Sequence, residues 1–361
     1  MKIVKVREAK LKDPKVKPAH HKPDGSGFLN PWPSFQTSSL KDMLKLVRNF
    51  KPPKLLPGTP GVAVVPIDFN RIQTFNQGHT DSSFLLTWLG HAAFLLSSSG
   101  MNILLDPCFS DRCSPVSFLG PKRFTPIPFK FEELPAIDVI IISHNHYDHL
   151  DLPTLKKFLK SDTLIFVPLG NQVFLENEGF THVVECDWWD EYELTTDKND
   201  KQIQYRITCT PCQHFSGRSL NDRFKTLWSS WIVAKGDTRF FFAGDTGYRT
   251  VRENEDEHSA PICPVFKEIG QKYGPFQLAA IPIGAYSPRW FMSAVHCNPR
   301  DAVDLHLDVQ SQKSIGMHWG TFALTDEPIL EPPQKLLEEL QQRGMDPSTF
   351  RVIQVGESVE I

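Results

Sequence analysis

The stretch Ile140-Ile141-Ile142-Ser143-His144-Asn145-His146-Tyr147-Asp148-His149 sets an apolar run directly before four side chains, His144, His146, Asp148 and His149, that can offer lone pairs to a cation. Apolar runs end at strand tips. A loop there can turn neighbouring imidazoles and a carboxylate toward one point, as a regular strand or helix could not. Three later segments repeat the arrangement. Residues 204–210 run into Pro211-Cys212-Gln213-His214, residues 239–243 into Gly244-Asp245-Thr246-Gly247, and residues 314–317 into His318-Trp319-Gly320. A single histidine after a strand is commonly a structural hydrogen-bonder, and an Asp between glycines commonly a turn residue. Taken with the first cluster, His214, Asp245 and His318 supply the remaining ligands of a two-metal site. Imidazole and carboxylate suit zinc, although iron or manganese could occupy the same geometry.

Such loops need strands to hold them. From about Ser83 onward, short β-type runs alternate with helical stretches, with no internal repeat and no low-complexity segment, so the class is α/β. Strands are predicted at 84–88, 92–96, 103–106, 137–143, 163–167, 204–210, 230–234, 239–243, 278–281, 314–318 and 351–354, and helices at 152–159, 263–273, 299–308 and 332–343. The segment 251–261, with Glu253, Glu255, Asp256 and Glu257, reads as a solvated acidic loop. Asp106, closing Ile103-Leu104-Leu105, and His91, after Leu89-Gly90, are placed either to orient a ligand imidazole or to make a purely structural hydrogen bond.

A chain of 361 residues that is 40% apolar, with 26 Phe and 8 Trp, can bury a sizeable core, which excludes a disordered or collagen-like protein. No apolar run approaches the ~20 residues of a membrane-spanning helix. The start, Met1-Lys2-Ile3-Val4-Lys5-Val6-Arg7, lacks the apolar core of a secretory signal. The seven cysteines form no regular framework, so an intracellular protein with free thiols is expected. Cys209-x-x-Cys212 has no second pair at zinc-ribbon spacing and reads as two incidental thiols.

The formal net charge of −3 hides an asymmetry, because the first 60 residues hold 13 Lys and Arg against four Asp and Glu. They also hold nine of the 29 prolines. The organisation expected is therefore a basic, proline-rich arm over 1–60 and a catalytic domain over 61–361. Within the arm, Leu40, Met43, Leu44 and Val47 fall at i, i+3, i+4 and i+7 behind a capping-box start at Ser39 and Asp42. The spacing predicts a basic amphipathic helix over 39–50, which either packs on its own domain or meets a membrane or partner. Its charge suits phosphate-bearing partners, nucleic acid or an anionic lipid surface.

The order His144-x-His146-x-Asp148-His149, then His214, Asp245 and His318, resembles the metallo-β-lactamase superfamily signature. That resemblance implies an αββα sandwich of two facing mixed β-sheets flanked by helices. It also implies two Zn2+, one on His144, His146 and His214, the other on Asp148, His149 and His318, with Asp245 bridging. Phe28-Leu29-Asn30-Pro31-Trp32-Pro33, Thr87-Trp88-Leu89-Gly90-His91, Gly120-Pro121-Lys122-Arg123-Phe124, Asp187-Trp188-Trp189 and Glu331-Pro332-Pro333 are similar to motifs of the N-acyl-phosphatidylethanolamine-hydrolysing phospholipase D family, as are residues 240–248, 274–292 and 318–324. The likeness runs over roughly residues 27–361.

This closer resemblance implies a zinc-dependent phosphodiesterase that releases an N-acylethanolamine and leaves phosphatidic acid, through a metal-bridging hydroxide. Two cations can neutralise an anionic phosphodiester, activate water and stabilise the leaving alkoxide. The resemblance also implies a homodimer. Arg218 and His296 match family positions linked to activity, which makes them phosphate-contacting or proton-handling groups, unless they are a surface arginine and a helix-capping histidine. Tyr147, between ligands, is a candidate for the substrate channel. A three-chain lipid requires peripheral membrane association, with Trp32, Trp290, Phe291 and the helix over 39–50 as candidates for an apolar rim; Trp290 and Phe291 could equally be core aromatics. The alternative is a metal-dependent nuclease or cyclic-nucleotide phosphodiesterase on the same fold. Against nucleic acid as a partner, the arm has few aromatics spaced for base stacking. A lipid-binding protein without activity is disfavoured by the complete ligand set. Two features depart from the family pattern, a longer acidic segment at 251–261 and a more basic helix at 39–50.

Overall fold

The computed structural model describes residues 1–7, 18–51, 53, 62–78, 83–198, 201–219 and 221–361. Its strands form two mixed sheets. The smaller runs in the order Ser358–Glu360, Leu85–Gly90, Ala93–Ser98, Met101–Leu105, Val139–Ile141, Leu164–Pro168 and Val183–Cys186. It is antiparallel as far as Met101–Leu105 and parallel beyond. The larger runs Lys2–Arg7, Glu191–Lys198, Lys201–Thr210, Ser230–Lys235, Thr238–Phe242, Leu278–Pro282, Ser314–Met317 and Phe350–Arg351. Here pairing turns parallel after Thr238–Phe242.

Alternation along the strands decides which side chain goes where, because successive residues point to opposite faces. Leu86, Trp88, Phe94, Leu96, Ile103, Val139 and Ile141 share one buried cluster with Ile207, Trp231, Val233, Phe240 and Phe242 of the other sheet. Their neighbours Leu85, Leu95, Leu104 and Ile140 pack outward onto Ile72, Phe75, Leu155 and Leu175. Helices Val265–Tyr273, Pro299–Asp308 and Glu331–Gln342 bring Phe266, Ile269, Val303, Leu336 and Leu340 to the larger sheet. The fold is the expected αββα sandwich. Among the described residues no helix is long and apolar enough to cross a membrane.

Several elements escaped the sequence patterns. Strands Lys2–Arg7 and Glu191–Lys198 pair with each other and are rich in charge, so they lack an apolar run. Val183–Cys186 and Ser358–Glu360 are short edge strands, and helices Phe69–Asn76, Gln172–Asn177 and Arg289–Met292 have eight residues or fewer. The helix expected over 152–159 begins as Leu152–Leu155 and tightens into a 3-10 turn at Lys156–Phe158.

The N-terminal segment is tied into the sandwich. Besides the edge strand, Phe28 and Ser34 are buried, and His20 and His21 bond the two carboxylate oxygens of Asp187 at 2.6 and 2.8 Å. Part of its positive charge is answered within the chain, by Lys5–Asp190 at 2.9 Å, Arg7–Glu191 at 2.8 Å and Lys45–Glu253 at 2.5 Å. The boundary expected between residues 60 and 61 lies outside the described residues. All seven cysteines are free and buried.

Candidate metal centre

Most of the metal-type side chains sit in loops at the carboxyl ends of strands with a parallel neighbour, where an α/β sheet offers its crevice, and His214 follows the antiparallel strand Lys201–Thr210. Asp106 follows Met101–Leu105, the His144–His149 loop follows Val139–Ile141, Asp245 follows Thr238–Phe242, and His318 follows Ser314–Met317. The first two belong to one sheet and the last two to the other, so the crevice is closed by bringing their tips together. Gly244 allows the approach. Its φ is +58°, and a Cβ there would lie 2.7 Å from Ser143 Cβ. His91, Asp106 and His318 also hold φ of 54°, 40° and 61°, a left-handed backbone that non-glycine residues keep only where surroundings enforce it.

The side chains converge in two overlapping groups. His144 Nε2 lies 2.7 Å and His214 Nε2 3.3 Å from His146 Nδ1. Asp245 Oδ2 lies 3.1 Å from His149 Nε2 and 3.0 Å from His318 Nε2, and Asp148 Oδ2 lies 3.4 Å from both. Asp245 Oδ2 is also 3.9 Å from His214 Nε2, which puts this carboxylate between the groups.

A second layer fixes the imidazoles. His149 Nδ1 bonds Asp106 Oδ2 at 2.6 Å, and Asp106 also accepts from Ser143 N and Oγ at 2.7 and 2.5 Å. Ser143 Oγ reaches His144 Nδ1 at 2.9 Å, and His214 Nδ1 donates to the carbonyl of Val295 at 2.8 Å. With Nδ1 engaged outward, Nε2 of each ring is left to face inward. His91 Nε2 meets Asp148 Oδ2 at 2.9 Å. Asp106 and His91 thus both contact the group, the former through a ligand-type imidazole and the latter through a carboxylate. The N-terminal segment adds support, since Asn30 Nδ2 donates to His214 O at 2.8 Å and Ser34 Oγ to Gln213 Oε1 at 2.5 Å.

Electrostatics favour cations here. Burial opposes ionisation of Asp148 and Asp245, yet His149 and His318 outweigh it and hold both well below the usual carboxylate range. The same carboxylates raise His149 well above its ordinary value and His318 up to about 9, against burial. Burial pushes His146 and His296 down to about 4 and His91 to about 3, and, with neighbouring imidazoles, holds His144 and His214 well below the ordinary value. His149 Nε2, His318 Nε2, Asp245 Oδ1 and His296 Nδ1 are buried without a hydrogen-bond partner. Unpartnered buried lone pairs are costly, and a divalent cation satisfies several at once, so the residues present fit a metal centre.

Comparison with known proteins agrees with this chemistry. The family model described as the beta-lactamase superfamily domain matches residues 101–319. Among solved structures, the metallo hydrolase Igni18 from Ignicoccus hospitalis gives a TM-score of 0.52 at 21% identity, covering 77% of this chain and 98% of its own. An isothiocyanate hydrolase from Delia radicum gut bacteria gives 0.56 at 17% identity, covering 77% and 99%. At these identities the likeness is one of fold. A Caenorhabditis elegans protein named N-acyl-phosphatidylethanolamine-hydrolyzing phospholipase D 1 is 40% identical over 327 residues, 88% of this chain and 87% of that one. The chain belongs to the N-acyl-phosphatidylethanolamine-hydrolysing phospholipase D family. The mitochondrial protein of that name from Saccharomyces cerevisiae is 38% identical over 253 residues, 69% of this chain and 50% of that one. Membership makes this phospholipase D relative a metal-dependent hydrolase of metallo-β-lactamase fold.

In this family member a cavity of about 450 Å3 opens onto the centre, bounded there by His146, Asp148, Asp245 and His296. Its walls are largely apolar, from Phe35, Met43, Leu46, Phe215, Phe291, Met292 and Leu324. Tyr147 lines this cavity, with its hydroxyl donating to Arg218 O at 2.7 Å. His296 faces Asp245 Oδ2 at 3.9 Å. Arg218 lies behind the wall. Its Nη1 donates to the carbonyls of Asn145 and Leu150 at 2.8 and 2.9 Å, and its guanidinium covers Tyr147 at 4.0 Å. It holds the ligand loop in place of facing the cavity. Phe291 lines the cavity, and Trp290 is half-buried under Lys45 at 4.6 Å. Trp32 stacks on Trp188 at 5.4 Å, away from the rim, and Phe35 lines the cavity instead.

The helix forms at Leu40–Asn49 with its capping box, and no residue of it is buried. Leu40, Leu44 and Val47 are 77%, 65% and 74% exposed. A second apolar projection, absent from the sequence reading, carries Phe118 at 79% and Leu119 at 67% exposure. Its flanking residues Cys113 and Pro121 line the cavity with Met43 and Leu46. The only available signal was the apolar pair before Gly120-Pro121. The acidic segment is not simply solvated: Glu257 pairs with Arg289, whose Nη1 donates to His296 O at 3.2 Å, and Glu253 holds Lys45.

Proposed function

We propose that this protein is a zinc-dependent phosphodiesterase that hydrolyses N-acyl-phosphatidylethanolamine to an N-acylethanolamine and phosphatidic acid. The observation that carries the reading is the convergence of His144, His146, Asp148, His149, His214, Asp245 and His318 beneath an apolar-walled cavity, in a chain of this family. The residues would hold two Zn2+ in the division that the family resemblance implies, with Asp245 between the ions. When bound, such ions supply charge neutralisation at phosphorus and a water that ionises near neutral pH. The protein's own groups do the rest. The apolar walls receive acyl chain and exclude water, Arg218 fixes the loop carrying His146 and Asp148, and Tyr147 shapes the entrance. His296 Nδ1, buried, unpartnered and neutral at rest, is the group assigned to take up the proton that the attacking water gives up and to pass it to the leaving alkoxide.

Peripheral membrane association belongs to the same reading. The open apolar face at Leu40, Leu44 and Val47 belongs to the helix whose Met43 and Leu46 line the cavity, and Phe118 and Leu119 to the segment whose Cys113 and Pro121 line it, so both would enter the acyl boundary of a bilayer. Trp290 and Phe291 extend that rim. A homodimer completes it, on the family resemblance alone. The test is product analysis by mass spectrometry after incubating the zinc-replete protein with N-acyl-phosphatidylethanolamine in mixed micelles, and separately with RNA and with cyclic nucleotides. N-acylethanolamine and phosphatidic acid in the first mixture are expected. Their absence, with turnover of either nucleotide substrate, would replace the lipid reading by the nuclease or cyclic-nucleotide one.

A further inference from the structure

The cavity carries two carboxylates, Asp148 and Asp245, and among its described lining residues one Lys or Arg, Arg223. Arg223 is exposed at the rim. Its guanidinium carbon lies 4.5 Å from the ring centre of Phe215 and 5.1 Å from that of Phe224, and among the described residues its side chain makes no ion pair or hydrogen bond. The adjacent carboxylate is already engaged, because Asp222 accepts from the backbone N–H of Arg218 at 3.0 Å and of Ser219 at 2.8 Å. Arg218 differs in that its Nη1 donates to two carbonyls and it is absent from the cavity lining. Phe215 in turn packs on His146 at 4.5 Å and on His214 at 5.0 Å. At most two steps of 4.5 Å separate the free guanidinium from the His146 ring.

A guanidinium stacked on aromatic faces keeps its five N–H donors at its edge, in the fork geometry that matches a phosphate. A lone unpaired arginine beside an apolar channel is therefore an anion receptor waiting at the mouth. Resting on the phosphodiesterase reading, we infer that Arg223 is a substrate-binding residue whose guanidinium takes a non-bridging phosphate oxygen of the phospholipid, on the side of the phosphate turned toward the cavity mouth. It selects a phosphate-bearing head group over neutral lipids of the same acyl content, and it retains phosphatidic acid after cleavage.

The test compares the full chain with Arg223→Gln and Arg223→Lys, each checked for unchanged metal content and melting temperature. One readout is equilibrium binding of short-chain phosphatidic acid and, as control, of the matching diacylglycerol; the other is the split between kcat and KM on N-acyl-phosphatidylethanolamine. A charged hydrogen bond of this kind predicts about a 10- to 100-fold loss of phosphatidic acid affinity in Arg223→Gln. Partial recovery in Arg223→Lys and no change for diacylglycerol are expected, with the kinetic loss falling on KM. A structural role through Phe215 would instead lower kcat or metal content. Arginine-dependent phosphatidic acid binding without turnover of the parent protein would sink the proposed reaction and leave the receptor standing. Equal phosphatidic acid binding by parent and Arg223→Gln, or none by either, overturns the inference.

Discussion

Asp106 Oδ2 lies 2.6 Å from His149 Nδ1, and neither side chain reaches solvent. The carboxylate is committed three ways, since it also receives the N–H and hydroxyl of Ser143, whose neighbour His144 begins the ligand loop. One buried side chain therefore orients two imidazoles. Asp106→Asn should keep the fold and weaken metal retention by about 10- to 100-fold. Competition with a chromophoric chelator measures this, and unchanged retention would show that His149 needs no orienting partner.

Asp245 stands between the two ligand groups, so Asp245→Asn should reduce bound metal per chain and abolish most turnover. Stripping metal from the parent protein should lower its melting temperature, because binding energy to the native state adds to stability. Elemental analysis with thermal melts checks both. A variant that still binds two ions with full activity would remove Asp245 from the centre.

Substitution on the open helix face separates surface attachment from folding. Leu44→Asp with Val47→Asp should weaken binding to anionic vesicles by more than about tenfold, given ~1.5–3 kcal/mol for each buried aliphatic side chain. Melting temperature should hardly move, because both side chains already face solvent. Vesicle sedimentation reads the outcome, and equal binding would deny the helix its surface role. Deleting the N-terminal segment is a poorer experiment, since it would also remove the edge strand Lys2–Arg7 and buried Phe28.

His306 gives a pH test on a residue outside the metal-type groups. Burial lowers it to about 4 from 6.5, and its Nδ1 sits 2.8 Å from Ser314 Oγ. The unfolded chain takes up this proton more readily, so the contribution to stability is complete above pH 6.5 and is lost as pH falls toward 4. The full loss is about 3 kcal/mol. His306→Gln should therefore show a flatter melting profile across that window than the parent. Parallel profiles would mean that His306 is protonated equally in both states.

The convergence of His144, His146, Asp148, His149, Asp245 and His318 was legible because these residues follow apolar runs, so strand tips could be read before the sheets were known; His214, after the mixed run 204–210, was the weaker reading. Asp106 and His91 were legible for the same reason. Arg218 was singled out by its match to a family position; its Nη1 donates to the carbonyls of Asn145 and Leu150, a placement that carbonyl directions decide and residue spacing does not reveal. Arg223 was invisible for the converse reason, having nothing but stacking rings around it. The strand Lys2–Arg7 hid because its partner Glu191–Lys198 is charged too; complementary charge across 184 positions, as between Arg7 and Glu191, has no local signature. Trp32 looked like a rim residue by type and is half-buried against the core, stacked on Trp188.

The close approach of Gly244 to Ser143 joins loops from opposite sheets. His144, His146, Asp148 and His149 come from the early half of the polypeptide, and His214, Asp245 and His318 from the late half. Two separately expressed fragments, cut between those halves, would each carry an incomplete chelate. Recovery of tightly held metal on mixing them would then report reassembly directly, a gauge of whether both halves have found each other.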